Sequence, residues 1–439
     1  MRKIVAAIAA AVMSLTLVLS AGCVNLTGVD GRDGKDGQDV SVYDCYELAK
    51  QENPDLTVDD FLKEYLSYSK EDFENSFSLQ TAINGSLRSG VSIMSVFKKS
   101  GFDIFSRPVT QTSAAYGAGV IVDLDKESGN AYVVTNCHVI YEQSANNPIC
   151  DNVSLFLYGM DENYNNPACA ISATVIGASQ TYDIALLKVE NSEILKSSDA
   201  VAAKFSSNDD VYMGEEVYAV GNPQGYGMSA TKGIISKESE TIQINLSSSQ
   251  FYQNVKEYRV IRTDAAINGG NSGGGLYNSK GELVGIVNAK SSESTVDNMG
   301  FALPSGNVRR LVRLMLDNYT SNGFSGNKGV TRAYLKAEYA ASPRTSKWNN
   351  LKGVYEVYES VYVTNEGDGL LEDDSIRNIK ILNSDGEVIE NREVTRIHHL
   401  DDTLLSARVG YKAIITVSRG GSETDVEIPI TSAHFLTLD

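Results

Sequence analysis

The sequence predicts a mainly β protein, with a short helical segment ahead of the β region and a smaller α+β unit behind it. Three observations carry this. First, Val91–Phe97, Gly119–Leu124, Ala131–Thr135, Val153–Tyr158, Ala173–Ile176, Ile184–Val189, Glu216–Val220 and Leu283–Val287 are short runs rich in β-branched and aliphatic residues. Turn residues separate them, the pattern of an all-β sandwich or barrel. Second, beyond Asn327 a polar stretch with Pro343 leads to further strand-like runs, beginning with Val354–Val363. Third, 42% of the 439 residues are hydrophobic and 21% are charged, so most of the chain can bury a core. That excludes a wholly disordered or fibrous protein, and the length allows about two to four domains.

The elements follow in order. Arg2 and Lys3 precede the apolar run Ile4–Leu19, and small residues come next, as in a secretory signal over residues 1–22. Ser20-Ala21-Gly22-Cys23 resembles a bacterial lipobox. That resemblance implies cleavage before Cys23, lipid on Cys23 and an extracytoplasmic protein anchored to the membrane. The alternative is an uncleaved anchor helix, for which the run is short against the ~20 residues a span prefers. Over residues 23–40, Gly28, Gly31, Gly34 and Gly37 each open a Gly-X-Asp triplet, a hydrophilic tether too short and too poor in Pro for collagen. Residues 41–85 read as a helical segment. Thr57 and Asp60 form a capping box, and Val58, Phe61, Leu62, Tyr65 and Leu66 keep helical spacing. A further helix is expected at about Val308–Tyr319, with Leu311, Val312, Met315 and Leu316 on one face.

Charge and cysteines narrow the function classes. Lys and Arg number 38 against 56 Asp and Glu, a net charge of −18, which repels a phosphate backbone and argues against nucleic acid. Five cysteines stand at 23, 45, 137, 150 and 169. With Cys23 lipidated, four remain where disulfides persist. Cys150 and Cys169 bracket one Asn-rich excursion and are the expected pair, with free thiols as the alternative. No Cys-x-x-Cys spacing or His cluster suggests a zinc site, and no cofactor is expected.

Three motifs in the β region carry chemistry. They are Thr135-Asn136-Cys137-His138-Val139, Tyr182-Asp183-Ile184-Ala185-Leu186-Leu187, and Ile267-Asn268-Gly269-Gly270-Asn271-Ser272-Gly273-Gly274-Gly275-Leu276. Acyl transfer at neutral pH needs a nucleophile, a base, a group that orients the base, and donors aimed at the developing oxyanion. Ser272 lies among glycines, which let backbone N–H groups approach a reacting carbonyl. His138 has a suitable basicity, and Asp183 can fix its tautomer. A phosphate-cradling role for the glycine loop fails, because no Lys-Ser/Thr and no helix follow it.

With Thr263-Asp-Ala-Ala-Ile-Asn268 and Gly300-Phe-Ala-Leu-Pro304 added, these motifs resemble trypsin-like serine proteases of the bacterial HtrA type over roughly residues 89–318. The resemblance implies paired antiparallel barrels of six strands each, in a protease domain over residues 86–320. It implies a catalytic triad of His138 as base, Asp183 as orienter and Ser272 as nucleophile. The backbone N–H groups of Gly270 and Ser272 would form the oxyanion hole. It further implies that Asn288, Ala289 and Lys290 form the edge that pairs with substrate backbone.

Several residues depart from the family pattern. Gly269 and Gly275 replace Pro, which predicts a more mobile oxyanion loop. Asn271 replaces Asp, so no zymogen cut should be needed. Cys137 stands beside His138, and neighbouring strand residues face opposite ways, so a Cys–His dyad is not expected. Ala266 occupies the position at which a carboxylate would select Lys or Arg, and an apolar pocket floor predicts aliphatic P1 residues.

Residues 345–439, with Gly369–Ile376, Ile379–Leu382 and Gly410–Gly420, resemble a divergent PDZ domain, which implies peptide binding at a sheet edge near Gly353. His398-His399 reads as an exposed helix flank and not as a metal site. The sequence thus points to a membrane-tethered serine endopeptidase acting on unfolded or exported polypeptides, in a possible homo-oligomer. The alternative is an inactive peptide-binding scaffold or chaperone.

Overall fold

The computed structural model describes residues 50, 54, 56–61, 78–102, 107–150, 153–161, 163–207, 209–245, 255–290, 298–322 and 330–438. The signal, Cys23, the Gly-X-Asp tether and Cys45 lie outside them. The chain divides into residues Met1–Gln80 and Thr81–Asp439. In the first unit the helical turn Val58–Phe61 and the start of helix Ser78–Ser89 are described. The Thr57 hydroxyl accepts from the Asp60 N–H (3.2 Å) and donates to the Asp60 carboxylate (2.6 Å), so the capping residues meet as expected.

In the larger unit the apolar runs pair into two closed barrels. The first has strand order β1-β2-β3-β6-β5-β4, built from β1 Gly90–Phe102, β2 Pro108–Asp125, β3 Asn130–Thr135, β4 Val153–Leu157, β5 Ile171–Ser179 and β6 Ile184–Val189. The second has the order β10-β11-β12-β9-β8-β7, built from β7 Glu216–Gly221, β8 Ser229–Asn245, β9 Val255–Thr263, β10 Gly275–Asn278, β11 Leu283–Lys290 and β12 Gly300–Pro304. Every pairing is antiparallel, and closure (Val91 opposite Leu157, Gly275 opposite Val220) removes the edges an open sheet would leave. The alternate inward residues of each barrel fill its core, among them Ile93, Val133, Leu155 and Leu187 in the first and Val217, Ile261, Leu276 and Val287 in the second.

Ile184, Ala185, Leu186 and Leu187 of β6 are all buried, because this strand is covered on both faces. Its outer face lies under helix Ser305–Asn322, which also crosses β5. The approach is close enough that a Cβ on Gly177 would sit 2.6 Å from Met315 Cγ. Of Leu311, Val312, Met315 and Leu316, expected on one helix face, the first three are buried and Leu316 is partly exposed.

The carboxy-terminal part begins earlier than residue 345. Ala333, Leu335 and Ala337 already belong to its core, with Val361, Ile379, Leu400 and Ile415. β13 Val330–Ala333 pairs with β22 Phe435–Leu438. The main sheet runs β14 Glu338–Ala341, β17 Val361–Asn365, β18 Ser375–Leu382, β20 Lys412–Arg419, β21 Ser422–Pro429, with β19 Val388–Glu393 also on β18. β15 Thr345–Asn349 and β16 Val354–Tyr358 form a separate hairpin whose turn holds Gly353 at φ +67°. One helix, Ile397–Leu404, packs on β18 and β19.

Two expectations are corrected here. Cys150 and Cys169 are not bonded, and with Cys137 they are free thiols. The reason is placement: Cys150 is buried in the first barrel's core, whereas Cys169 ends the half-exposed turn Pro167–Cys169. His398 and His399 are not an exposed flank. They occupy the first turn of helix Ile397–Leu404, and His399 is buried.

Candidate active site

The site forms where loops of the two barrels meet. Asn136 follows β3 as the N-cap residue of Cys137–Ile140, which make a single helical turn and not a continuation of the strand. Successive residues on a helix differ by about 100° in direction. Cys137 therefore points into the barrel core, and the His138 ring, 40% exposed, points toward the cleft. The face-alternation reason for excluding a Cys–His dyad does not apply, but the burial of Cys137 excludes it all the same.

Asp183 adopts φ +48°, in the left-handed region that non-glycine residues seldom occupy. Local bonds hold it there. Its backbone carbonyl accepts Asn136 Nδ2 at 2.9 Å. Its Oδ1 accepts the His138 N–H at 2.9 Å, and its Oδ2 lies 2.7 Å from His138 Nδ1. Asn288 Nδ2 donates to the same Oδ2 at 2.5 Å. This buried, fully bonded carboxylate fixes the ring so that Nε2 faces away from Asp183. Burial works against the charged imidazolium, but the charge and hydrogen bond of Asp183 outweigh it, and the pKa of His138 is raised above its ordinary 6.5.

The Ser272 loop is held by backbone. The Ser272 carbonyl accepts the Ala118 N–H at 2.9 Å, and Gly273 N–H donates to the Val287 carbonyl at 2.8 Å. Among the described residues, no backbone carbonyl takes the N–H of Gly270 or Ser272. The Ser272 hydroxyl donates to the Asn288 carbonyl at 3.0 Å and not to His138. Nucleophile–base contacts of this kind tighten in the substrate complex.

The remaining candidates fall as follows. Ala266 is exposed at the loop start, with its carbonyl accepting Thr231 Oγ1 at 2.9 Å. Asp264, the other acid nearby, is turned to β8, where its Oδ1 accepts the Ile234 N–H at 2.6 Å. Ala289 and Lys290 pair with Phe301 and Gly300 of β12 and extend past the end of the β10 pairing, which stops at Ile286. Asn288 differs from its neighbours. Its side chain is buried and serves Asp183, a role the edge-strand reading did not contain. Asn136 likewise emerges only in three dimensions, although the Thr-Asn-x-His motif contained it.

One other cluster gathers possible ligands. Asp210, His398 and His399 place a ligand atom each within 4.8 Å of one another. Burial, followed by the charge of Arg259 and of Arg396 and Arg392 nearby, holds the pKa of His398 well below 6.5. Three guanidiniums around one spot oppose a further cation there.

A family model described as the trypsin-like peptidase domain matches residues 117–286. The chain is 30% identical over 322 residues to Serine protease Do-like HtrA of Lactobacillus helveticus, covering 72% of this chain and 68% of that protein. It is 30% identical over 318 residues to Serine protease Do-like HtrB of Bacillus subtilis (strain 168), covering 72% of this chain and 62% of the relative. It is 35% identical over 207 residues to Serine protease Do-like HtrA of the same organism, covering 47% and 40%. The match therefore spans less than two thirds of either Bacillus protein. The double barrel, the matched domain and the Lactobacillus relative together show that the chain belongs to the HtrA family of trypsin-like serine proteases.

Proposed function

We propose that the chain is an extracytoplasmic serine endopeptidase that cleaves unfolded or exported polypeptides through an acyl-enzyme on Ser272. The observation that carries this is the 2.7 Å contact of His138 Nδ1 with buried Asp183, next to a serine loop with two available N–H groups. In this reading Ser272 Oγ turns from the Asn288 carbonyl to His138 Nε2. His138 takes its proton as Oγ attacks the scissile carbonyl, and the N–H groups of Gly270 and Ser272 hold the oxyanion. His138 then protonates the leaving amine. Water, deprotonated by the same ring, releases the acyl group. Asp183 stays charged throughout and stabilises the imidazolium.

A substrate strand would add to the edge at Asn288–Lys290, and the carboxy-terminal sheet would bind peptides as a PDZ-like module. Lipid on Cys23 would hold the protein at the membrane, and self-association into a homo-oligomer is part of the same reading. A second reading, an inactive peptide-binding scaffold, draws on one observation: the Ser272 hydroxyl faces Asn288. A fluorophosphonate probe separates the two, since labelling needs an activated serine. Labelling of the wild type and none of Ser272→Ala is expected. An unlabelled wild type would favour the scaffold.

A further inference from the structure

β4 and β5 are antiparallel neighbours, Leu155 opposite Ile171, and a two-residue turn could join them. Instead residues 158–170 form a long excursion. Two of its described side chains reach loop 222–228 of the second barrel. Asp161, 3% exposed, accepts the Gly159 N–H at 2.8 Å on one oxygen and the Met228 N–H on the other. The Tyr164 ring stands edge-on to Tyr116 and Phe156, with centroids 5.1 and 5.0 Å away, and its hydroxyl accepts Asn222 Nδ2 at 2.5 Å.

Asn222 is fully buried, and its Oδ1 accepts the Gly227 N–H at 2.9 Å. The loop it braces has an uncommon backbone. Gln224, a non-glycine residue, sits at φ +58°, followed by Gly225 at +75° and Gly227 at +106°. Such a segment persists only when its surroundings over-determine it. It lies directly on the oxyanion loop. Gln224 N–H donates to the Gly269 carbonyl at 2.6 Å, and Asn222 N–H to the Gly270 carbonyl at 3.3 Å. A Cβ on Gly270 would be 2.1 Å from the Asn222 carbonyl oxygen. In a planar trans peptide the C=O of Gly269 and the N–H of Gly270 point opposite ways. Holding that carbonyl against Gln224 therefore aims the Gly270 N–H away from the loop.

We propose that Tyr164 is a positioning residue for the oxyanion loop: through Asn222 it fixes loop 222–228, which holds the Gly269–Gly270 peptide with its N–H turned out. This rests on the reading of Gly270 as an oxyanion donor. The long β4–β5 excursion thereby becomes a strut from the first barrel to the second. Released, the peptide can turn over and present the Gly269 carbonyl in place of the N–H, with the His138–Asp183 pair undisturbed.

Tyr164→Phe keeps the ring packing and deletes the hydroxyl. On a chromogenic peptide its kcat should fall about ten- to a hundredfold, short of the roughly 10²–10³ for outright loss of an oxyanion donor. KM and the acid-limb pKa of the rate profile should stay unchanged. Affinity for a peptide aldehyde, which needs the hole as a tetrahedral adduct, should fall by the same factor as kcat/KM. Tyr164→Phe added to Asn222→Ala should cost nothing further, as two links of one relay. Wild-type kcat in Tyr164→Phe, a loss confined to KM, a shifted acid limb, or additive losses in the double variant would each overturn the proposal. A wild type that a fluorophosphonate fails to label would sink the protease reading and this proposal with it. A labelled wild type with an unaltered Tyr164→Phe sinks this proposal alone.

Discussion

Asp183 shows how much chemistry one residue can carry through its bonds. Its carboxylate raises the pKa of His138, so His138 keeps its proton to a higher pH than a free imidazole would. The base form is the active one. kcat/KM should therefore fall as pH drops through that raised value and level off above it. In Asp183→Asn the remaining influence, burial, lowers the pKa, so the acid limb should move to lower pH. Turnover should drop about 10⁴-fold, because the amide favours the wrong tautomer. A pH profile of kcat/KM on both proteins reads the two effects, and an unmoved limb would show that Asp183 is not the source of the shift. Specificity also sits at this scale. Ala266 offers no carboxylate, and Asp264 is occupied by the Ile234 N–H. Burying an unpaired Lys or Arg head costs several kcal/mol, whereas an aliphatic side chain gains roughly 1.5–3 kcal/mol on full burial. Peptide libraries should show cleavage after Val, Ala, Ile, Leu or Thr. Dominant cleavage after Lys or Arg would mean that another acid reaches the pocket.

The serine loop is an element with almost no free space. Gly273 has φ +85°, and a Cβ there would lie 2.2 Å from both the Ala118 carbonyl oxygen and Thr135 Oγ1. Thr135 Oγ1 already donates to that carbonyl at 2.7 Å, so neither atom can give way cheaply. Gly273→Ala should displace the loop and with it Ser272. A displacement of about 1 Å is enough for a loss of order 10² in kcat. The strain should also cost about 1–3 kcal/mol of stability. Steady-state kinetics with thermal unfolding tests this, and a fully active Gly273→Ala would show that the loop is not held by the Ala118–Thr135 contact. The helix Ser305–Asn322 is the other decisive element, for it covers β5 and β6 on one side and carries polar residues toward the carboxy-terminal sheet.

At the scale of the molecule, buried polar contacts tie β19 and helix Ile397–Leu404 of the carboxy-terminal part to helix Ser305–Asn322 and to β9 of the second barrel. Arg310, 4% exposed, reaches Glu390 of β19 (Nε to Oε1, 2.9 Å) and also binds Asp209. Arg259 and Asn307 both donate to Asp402, at 2.5 and 2.7 Å. Burial pushes the phenol of Tyr182 up to about 12, against the pull of Arg332 on β13, so this junction extends to the residue before Asp183. Removing one partner from a buried set leaves uncompensated charge, at about 3–5 kcal/mol. Arg310→Ala leaves partly buried Glu390 with the Ser406 hydroxyl, while Asp209 keeps Arg309 at 2.8 Å, and should lose that much in denaturant unfolding. The two parts should also melt separately. A loss below about 1 kcal/mol would mean that water replaces the guanidinium without penalty.

The sequence alone determined the residue types of the site, the eight apolar strands of the barrels and the covering helix. Those signals are local: a strand shows in alternate residues, and a glycine-rich loop in its own spacing. β8 and β9 escaped that reading. Ser229–Asn245 is rich in polar residues and carries no apolar run, and barrel closure makes it a strand. Tertiary structure alone decided which groups meet across long separations. Asn288 reaches Asp183, Tyr164 reaches Asn222, Cys150 stays apart from Cys169, and His399 is buried. Each of these depends on how the barrels close and dock, which sets the distance between residues whose local sequences say nothing of one another.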